Sequence, residues 1–235
     1  MRKKQQQPET LYQKNRMGGK TIQNICDDVC NRVEDISQEF KDGFEFIKDF
    51  DKTVTFFGSA RLPENDPDYK NARILARRIS EELDYAIITG GGPGIMEAGN
   101  RGAFEAGGDS LGLNIKLPFE QLLNNYTTKS KSFHYFFARK MCMTFESQSF
   151  VYFPGGFGTM DELFEVLTLI QTEKMPKIPI FLVGKKFWKP LDKFIKNNLL
   201  KGATISPEDL NLYTITDNHD LIIKTIKDTP IRKED

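Results

Sequence analysis

The run Pro154-Gly155-Gly156-Phe157-Gly158-Thr159-Met160-Asp161-Glu162 gathers the residue types with the most chemistry in this 235-residue chain. It follows an apolar stretch, Ser149 to Phe153, that reads as a buried strand. It leads into an amphipathic stretch, Leu163 to Ile170, that reads as a helix. A glycine-rich turn at such a junction exposes backbone N–H groups at the positive end of a helix, a ready site for a phosphate or another anion. Glu162 sets a carboxylate just inside the same helix. A carboxylate beside an anion site implies a ligand with a second, electron-poor centre near its anion, and a nucleotide is the simplest such ligand.

Other readings of these residues stand beside that one. Thr159-x-x-Glu162 is also a capping box, in which the pair only satisfies orphan amides at a helix start. Spacing alone favours the cap. A bare cap, however, does not require Gly155, Gly156 and Gly158 together, and Thr159 can offer hydroxyl and amide to a phosphate. Asp161 reads as a solvated residue on another face. One element earlier, Arg139-Lys140 lies between aromatic and methionine residues, Phe136-Phe137-Ala138 before and Met141 after, which is not an ordinary solvated face. Arginine can fork onto a carboxylate or phosphate; the alternative is a surface pair near a helix start.

Two further glycine turns follow apolar runs: Gly58-Ser59-Ala60 after Thr53–Phe57, and Gly90-Gly91-Gly92-Pro93-Gly94 after Tyr85–Thr89. Three such turns on one sheet edge would share a crevice in which Ser59, Gly91 and Gly92 approach a ligand. The dinucleotide pattern G-x-G-x-x-G fails twice in the second turn, where Ile95 or Glu97 takes the last position, and G-x-x-x-x-G-K-[ST] does not occur. A mononucleotide therefore fits better than NAD or a transferred phosphate. Glu97, in the first turn of the next helix, reads as an acid compatible with the dipole.

These turns need a scaffold. Strand-like runs at 53–57, 85–89, 110–115, 129–133, 149–153, 177–183 and 213–216 alternate with helical patterns at 69–83, 95–106, 134–148, beyond 159, 187–200 and 220–227. Short apolar strands alternating with helices imply an α/β fold, a Rossmann-like doubly wound parallel sheet covered on both faces. Before it, Ile22, Ile25, Val29, Val33, Ile36, Phe40 and Phe44 mark one stripe of a helix. The expected organisation is a flexible arm (1–20), a helical extension (21–50) docked on the main domain or open to a partner, and one nucleotide-binding catalytic domain (51–230).

Lys+Arg and Asp+Glu both total 33, so no net field draws a nucleic acid polymer or an anionic membrane. There is no run of membrane-span length and no signal-peptide core at the start. Three cysteines point to a reducing cytoplasm. Cys26 and Cys30 share a helix face, but two histidines in the whole chain, His134 and His219, offer no cluster around them, so no metal is expected.

The paired motifs resemble a known family. PGGFGTMDE fits PGGxGTxxE, Arg139-Lys140 precedes it at the family's spacing, and FFGSAR (Phe56 to Arg61) and TGGGPGIMEAGNRGA (Thr89 to Ala103) match its other signatures. Over about Thr53 to Leu200 the chain is similar to the Lonely Guy family, the cytokinin riboside 5′-monophosphate phosphoribohydrolases, and to bacterial relatives that cleave nucleoside monophosphates. Many such chains carry the label "lysine decarboxylase", for which no lysine context typical of pyridoxal phosphate is found. The resemblance implies Arg139 and Glu162 as the catalytic pair, with Lys140, Gly156, Gly158 and Thr159 on the nucleotide, and Thr168 and Glu120 as further substrate contacts; Gly155 belongs to the same turn. It implies no cofactor, a small-molecule nucleoside monophosphate as partner, and a homodimer or higher homo-oligomer. The helix before Thr53 and the Glu97 form of the second turn depart from the shortest plant-type members and bear on cytokinin specificity. Arg139 is expected to hold Glu162 ionised at neutral pH. The rival class is a carrier of a nucleotide or pterin cofactor on the same fold, which has no evident use for the Arg139–Glu162 pair.

Overall fold

The computed structural model describes residues 22–117 and 123–232, the side chains of 22–27 excepted. The arm 1–20, the Cys26 side chain and Glu120 lie outside the described residues. Seven parallel strands form one sheet: β1 (Thr53–Phe57), β2 (Ala86–Thr89), β3 (Ser110–Ile115), β4 (Lys129–Phe133), β5 (Ser147–Tyr152), β6 (Ile180–Leu182) and β7 (Thr214–Ile215). Their order is β4-β3-β2-β1-β5-β6-β7. The helices are α1 (Ile22–Ile47), α2 (Pro67–Leu83), α3 (Ile95–Glu105), α4 (Phe136–Phe145), α5 (Phe157–Gln171), α6 (Lys185–Phe194) and α7 (His219–Asp228). A π-helical turn, Ile195–Leu200, continues α6, and a 3-10 turn spans Pro207–Asn211.

The compact unit that holds the sheet runs from Glu39 to the C-terminus. Strands buried on both faces divide their side chains between two cores. On one face Phe57, Ile88, Leu111, Leu113, Phe150 and Tyr152 pack with Ala138, Cys142 and Met143 of α4, Leu163, Val166 and Ile170 of α5, and Ile47 at the end of α1. On the other, Val54, Phe56, Ile87, Val151 and Phe181 pack with α2, α3 and α7. In the preceding unit, the described residues continue α1 as a helix on which Val29 and Val33 are exposed.

Four elements depart most from the sequence reading. Helix α4 ends at Phe145 and β5 begins at Ser147, where the pattern predicts a helix through Gln148. The cause is side-chain bonding. Ser147 Oγ donates to Met143 O at 2.7 Å, Gln148 Nε2 to Asp51 O at 3.0 Å and Ser149 Oγ to Pro179 O at 3.0 Å, so a polar triplet enters the sheet with its groups satisfied. Helix α5 begins at Phe157 with Gly156 as its cap residue. Strand β6 is three residues long, because Pro179 and its neighbours run outside the ladder.

Order along the sheet fixes where a ligand belongs. From β1 the chain builds outward to β4, then returns to the other side of β1 with β5. The reversal lies between β1 and β5, and the crevice outside such a reversal, at the carboxyl ends of the strands, is where open α/β sheets bind ligands.

Candidate active site

The three glycine turns meet at that reversal. Ser59 joins them through its main chain: its N–H donates to Pro154 O at 3.0 Å, and its carbonyl accepts from Ile95 N at 2.9 Å. The β1 turn is thus tied to the β5 turn on one side and to the start of α3 on the other. Its side chain accepts from Arg61 N at 3.1 Å.

Each glycine answers a different demand. Gly91 and Gly94 have φ of 68° and 69°, a backbone region that disfavours other residues. A Cβ on Gly90 would stand 3.1 Å from Arg139 Nη1 and 2.7 Å from Met96 Sδ, so this turn leaves room for the guanidinium. A Cβ on Gly155 would fall 2.1 Å from Thr159 Oγ1, so Gly155 makes space for a buried threonine. Gly156 and Gly158 meet nothing within 4 Å of such a Cβ. Packing does not require glycine at those two positions. Its effect there is to leave the first turn of α5 bare, and no side chain caps that turn.

Thr159 sits inside α5, three residues beyond the cap residue Gly156. The capping-box reading of Thr159 and Glu162 is therefore corrected: Glu162 lies well past the position from which it could reach back to a cap amide.

Glu162 instead faces α4. Arg139 Nη2 donates to Glu162 Oε1 at 2.9 Å, with 9% and 13% of the two side chains exposed. The Phe136 ring lies 5.5 Å from the guanidinium carbon. Tyr152 OH donates to the Glu162 main-chain carbonyl at 3.1 Å and anchors that turn of the helix to the sheet. Among the described residues, Arg139 Nε is buried without a protein partner.

Electrostatics corrects one expectation. Burial raises the Glu162 carboxyl to about 7, and the opposing pull of Arg139 does not cancel it. Asp161 and Glu165 add to the rise and Lys140 works against it. Arg139 is itself lowered by burial while Glu162 draws it back up, and as a guanidinium it stays charged. Glu162 therefore divides between acid and carboxylate near neutral pH.

Lys140 does not join the pair but binds two other carboxylates of α5. Its Nζ meets Asp161 Oδ2 at 2.9 Å and also Glu165. Asp161, 64% exposed, is thus half of an ion pair and not simply solvated. Burial lowers the Lys140 amine, but Glu165 and Asp161 outweigh it and leave it raised. Glu97 takes a hydrogen bond from Tyr69 OH at 2.8 Å, which gives it a structural partner. Thr168 is not brought to this cluster. It is exposed on α5, its hydroxyl returned to Phe164 O at 2.7 Å, and six residues place it about 9 Å along the helix from Glu162 and on another face.

Several residues here carried no sequence signal. Tyr152 reads as one more apolar strand residue. Phe157, flanked by glycines at the helix start, is 96% exposed. Among the described residues no group of three His, Cys, Asp or Glu could hold a metal ion, and no helix is long and apolar enough to cross a membrane.

Comparison with known proteins bears on this arrangement. A curated protein of Oryza sativa subsp. japonica, named a probable cytokinin riboside 5′-monophosphate phosphoribohydrolase, is 28% identical over 74% of this chain and 71% of its own. Its Arabidopsis thaliana counterpart is 26% identical over 81% of this chain and 89% of its own. Among solved structures, the molybdenum cofactor carrier protein of Chlamydomonas reinhardtii superposes with a TM-score of 0.55 at 23% identity, covering 75% of this chain and 96% of that one. The molybdenum cofactor binding protein of Rippkaea orientalis gives 0.53 at 22% identity, covering 74% and 93%. These two show a shared fold. A family model described as "Possible lysine decarboxylase" matches residues 96–226, more than half of the chain and the segment that carries Arg139, the β5 turn and Glu162. The chain belongs to this family, the Lonely Guy family.

Proposed function

We propose that this protein hydrolyses the N-glycosidic bond of a nucleoside 5′-monophosphate of the AMP or cytokinin riboside type, releasing the free base and ribose 5-phosphate. The observation that carries the reading is the buried Arg139–Glu162 pair beside a helix start left open by Gly156 and Gly158. The amides of Gly156, Gly158 and Thr159 hold the 5′-phosphate at the positive end of α5 and so fix the ribose. Gly155 shapes that turn, while Ser59, Gly91 and Gly92 line the neighbouring strand ends. Bond cleavage leaves a cation-like sugar, which a nearby carboxylate stabilises.

Glu162 fits the role of base. A general base works best with a pKa near the working pH. Its carboxylate takes a proton from water as the hydroxyl joins C1′, and the departing heterocycle gains its proton from solvent. Arg139 orients the carboxylate. Lys140 reaches the phosphate only by exchanging a carboxylate for it. Glu120 completes the substrate contacts in this reading.

The name of the matched family suggests a different reaction, which the site does not favour. A lysine that forms a Schiff base must be available as the neutral amine, and Lys140 is held protonated between two carboxylates. A cofactor carrier would have no use for a buried acid–guanidinium pair set at an open anion site.

The functional unit in this reading is a homodimer or higher homo-oligomer. Phe136, Phe137, Met141, Phe157 and Phe164 expose apolar surface on α4 and α5, and Thr168 would reach a ligand only from a second copy. The cytoplasm is the matching compartment, with Cys30 and Cys142 as free thiols.

Incubation with AMP, followed by assay of adenine and ribose 5-phosphate, tests the reaction. Wild type should release both in equal amounts, and Glu162→Gln should bind AMP without turning it over. No product from any common monophosphate, with or without an isopentenyl group on adenine, would overturn the proposal.

A further inference from the structure

Beneath the Gly90–Gly94 turn lies a closed set of buried amides and hydroxyls. Asn124 N–H donates to Gly91 O at 2.8 Å. Its side-chain Nδ2 donates to Gly92 O at 3.1 Å and to Asn100 Oδ1 at 2.9 Å, and its Oδ1 accepts from Tyr126 N at 3.0 Å. Asn100 Oδ1 also accepts from Thr89 Oγ1 at 2.6 Å, while its Nδ2 donates to Ser110 Oγ at 2.9 Å and Leu111 O at 3.1 Å. Thr89 Oγ1 accepts from Gly91 N at 2.9 Å. Thr89, Asn100, Ser110 and Asn124 are all buried.

The partners dictate which way each amide points. Leu111 O can only accept, so Asn100 must present Nδ2 there and Oδ1 to Asn124. Asn124 then faces two acceptors with Nδ2 and one donor with Oδ1; turned over, it would set oxygen against oxygen twice.

Two consecutive carbonyls of the turn are thus held by one residue, with a stereochemical consequence. In a trans peptide the N–H points opposite to the C=O. Drawing the Gly91 carbonyl to Asn124 drives the Gly92 N–H the other way. The next residue is Pro93, which has no N–H, so fixing the Gly92 carbonyl strands no donor. Asn124 stands on the β3 side of the turn, where its neighbour Leu123 covers Gly91 and Gly112. The Gly92 N–H accordingly points away from β3, toward the side of the sheet on which β1 and β5 lie. Among the described residues it has no protein acceptor.

We propose that Asn124 is a positioning residue for ligand binding: its clamp on the Gly91 and Gly92 carbonyls presents the Gly92 N–H to an oxygen of the ribose 5-phosphate moiety. The identity of that moiety rests on the hydrolase reading above; the clamp does not.

The test compares wild type with Asn124→Asp, Asn124→Ala and Ile79→Ala. The first is isosteric but sets oxygen against both acceptors. Ile79 lies in the α2 core, so its truncation destabilises the fold away from the crevice. AMP affinity is measured by calorimetry, each substitution placed in an otherwise Glu162→Gln protein, and kinetics are measured with Glu162 intact. Both Asn124 variants should weaken AMP binding at least about tenfold and lower kcat/KM about 100-fold, the size expected when a reacting group is misplaced by about 1 Å. Ile79→Ala should retain wild-type affinity and kcat/KM despite its lower melting temperature. Wild-type binding and kcat/KM in both Asn124 variants would overturn the inference, as would an equal loss in Ile79→Ala. If Asn124→Asp does not fold, Asn124→Ala decides. If wild type binds AMP without cleaving it, the hydrolase reading fails and the affinity comparison still decides the clamp. No binding of any monophosphate by wild type overturns both.

Discussion

Arg139 Nη2 lies 2.9 Å from Glu162 Oε1, yet the carboxyl it holds titrates near neutrality and not in acid. Removal from water disfavours the carboxylate more than a single guanidinium favours it, and Asp161 and Glu165 tilt the balance further. A buried pair of this kind is poised for proton exchange and contributes little to stability.

That poise can be read from stability. Glu162 is raised from 4.5 to about 7 on folding, so its contribution is fully present below pH 4.5 and is lost as pH rises through about 7. Between pH 5 and pH 8 the loss is about 2–3 kcal/mol. Urea unfolding of wild type and Glu162→Gln at both pH values should show the difference between them moving by that amount in favour of the glutamine variant. A difference that stays constant with pH would contradict it.

Asp161→Asn removes a charge that raises Glu162. The Glu162 midpoint, followed by 13C NMR of its carboxyl carbon, should move below about 7, and the acid limb of kcat/KM should move with it. Lys140→Gln should shift both upward, because Lys140 holds Glu162 down.

Two adjacent glycines should behave in opposite ways. Gly155→Ala forces a methyl group against Thr159 and should cost about 1–3 kcal/mol in denaturant titration, as overpacking does. Gly156→Ala meets no atom within 4 Å and should fold within about 0.5 kcal/mol of wild type. Its methyl would stand before the open amides of α5, so KM for the monophosphate should rise at least about tenfold, by about 1.4 kcal/mol.

Phe157→Ser should leave monomer stability within about 0.5 kcal/mol, since the ring is almost wholly exposed. Sedimentation velocity should show a weakened form of the homo-oligomer proposed above. An unchanged oligomer would mean that Phe157 lies outside the subunit contact.

Much of the fold was legible because its signals are local. The bounds of β1 and β3 coincide with their apolar runs, β4 falls on the expected 129–133, and the three glycine turns mark the strand ends. Failures came where distant groups decide. Ser147 and Gln148 look helical until Met143 and Asp51 are found beside them. The Arg139–Glu162 pairing could be anticipated from the motif, but the titration of Glu162 depends on burial beneath neighbouring elements, which spacing does not encode. Thr168 matched a sequence pattern while pointing off the crevice of its own chain, so pattern and geometry coincide only if a second chain is present.

Glu39 gives the N-terminal extension a task. From the α1 segment its carboxylate accepts from His134 N and, at 3.0 Å, from Tyr135 N, the two amides at the entry to α4. A chain shortened to begin at residue 51 would keep every strand but lose this brace. The helix bearing the guanidinium would then fray from its leading end, and the Glu162 carboxyl would be left without a fixed companion.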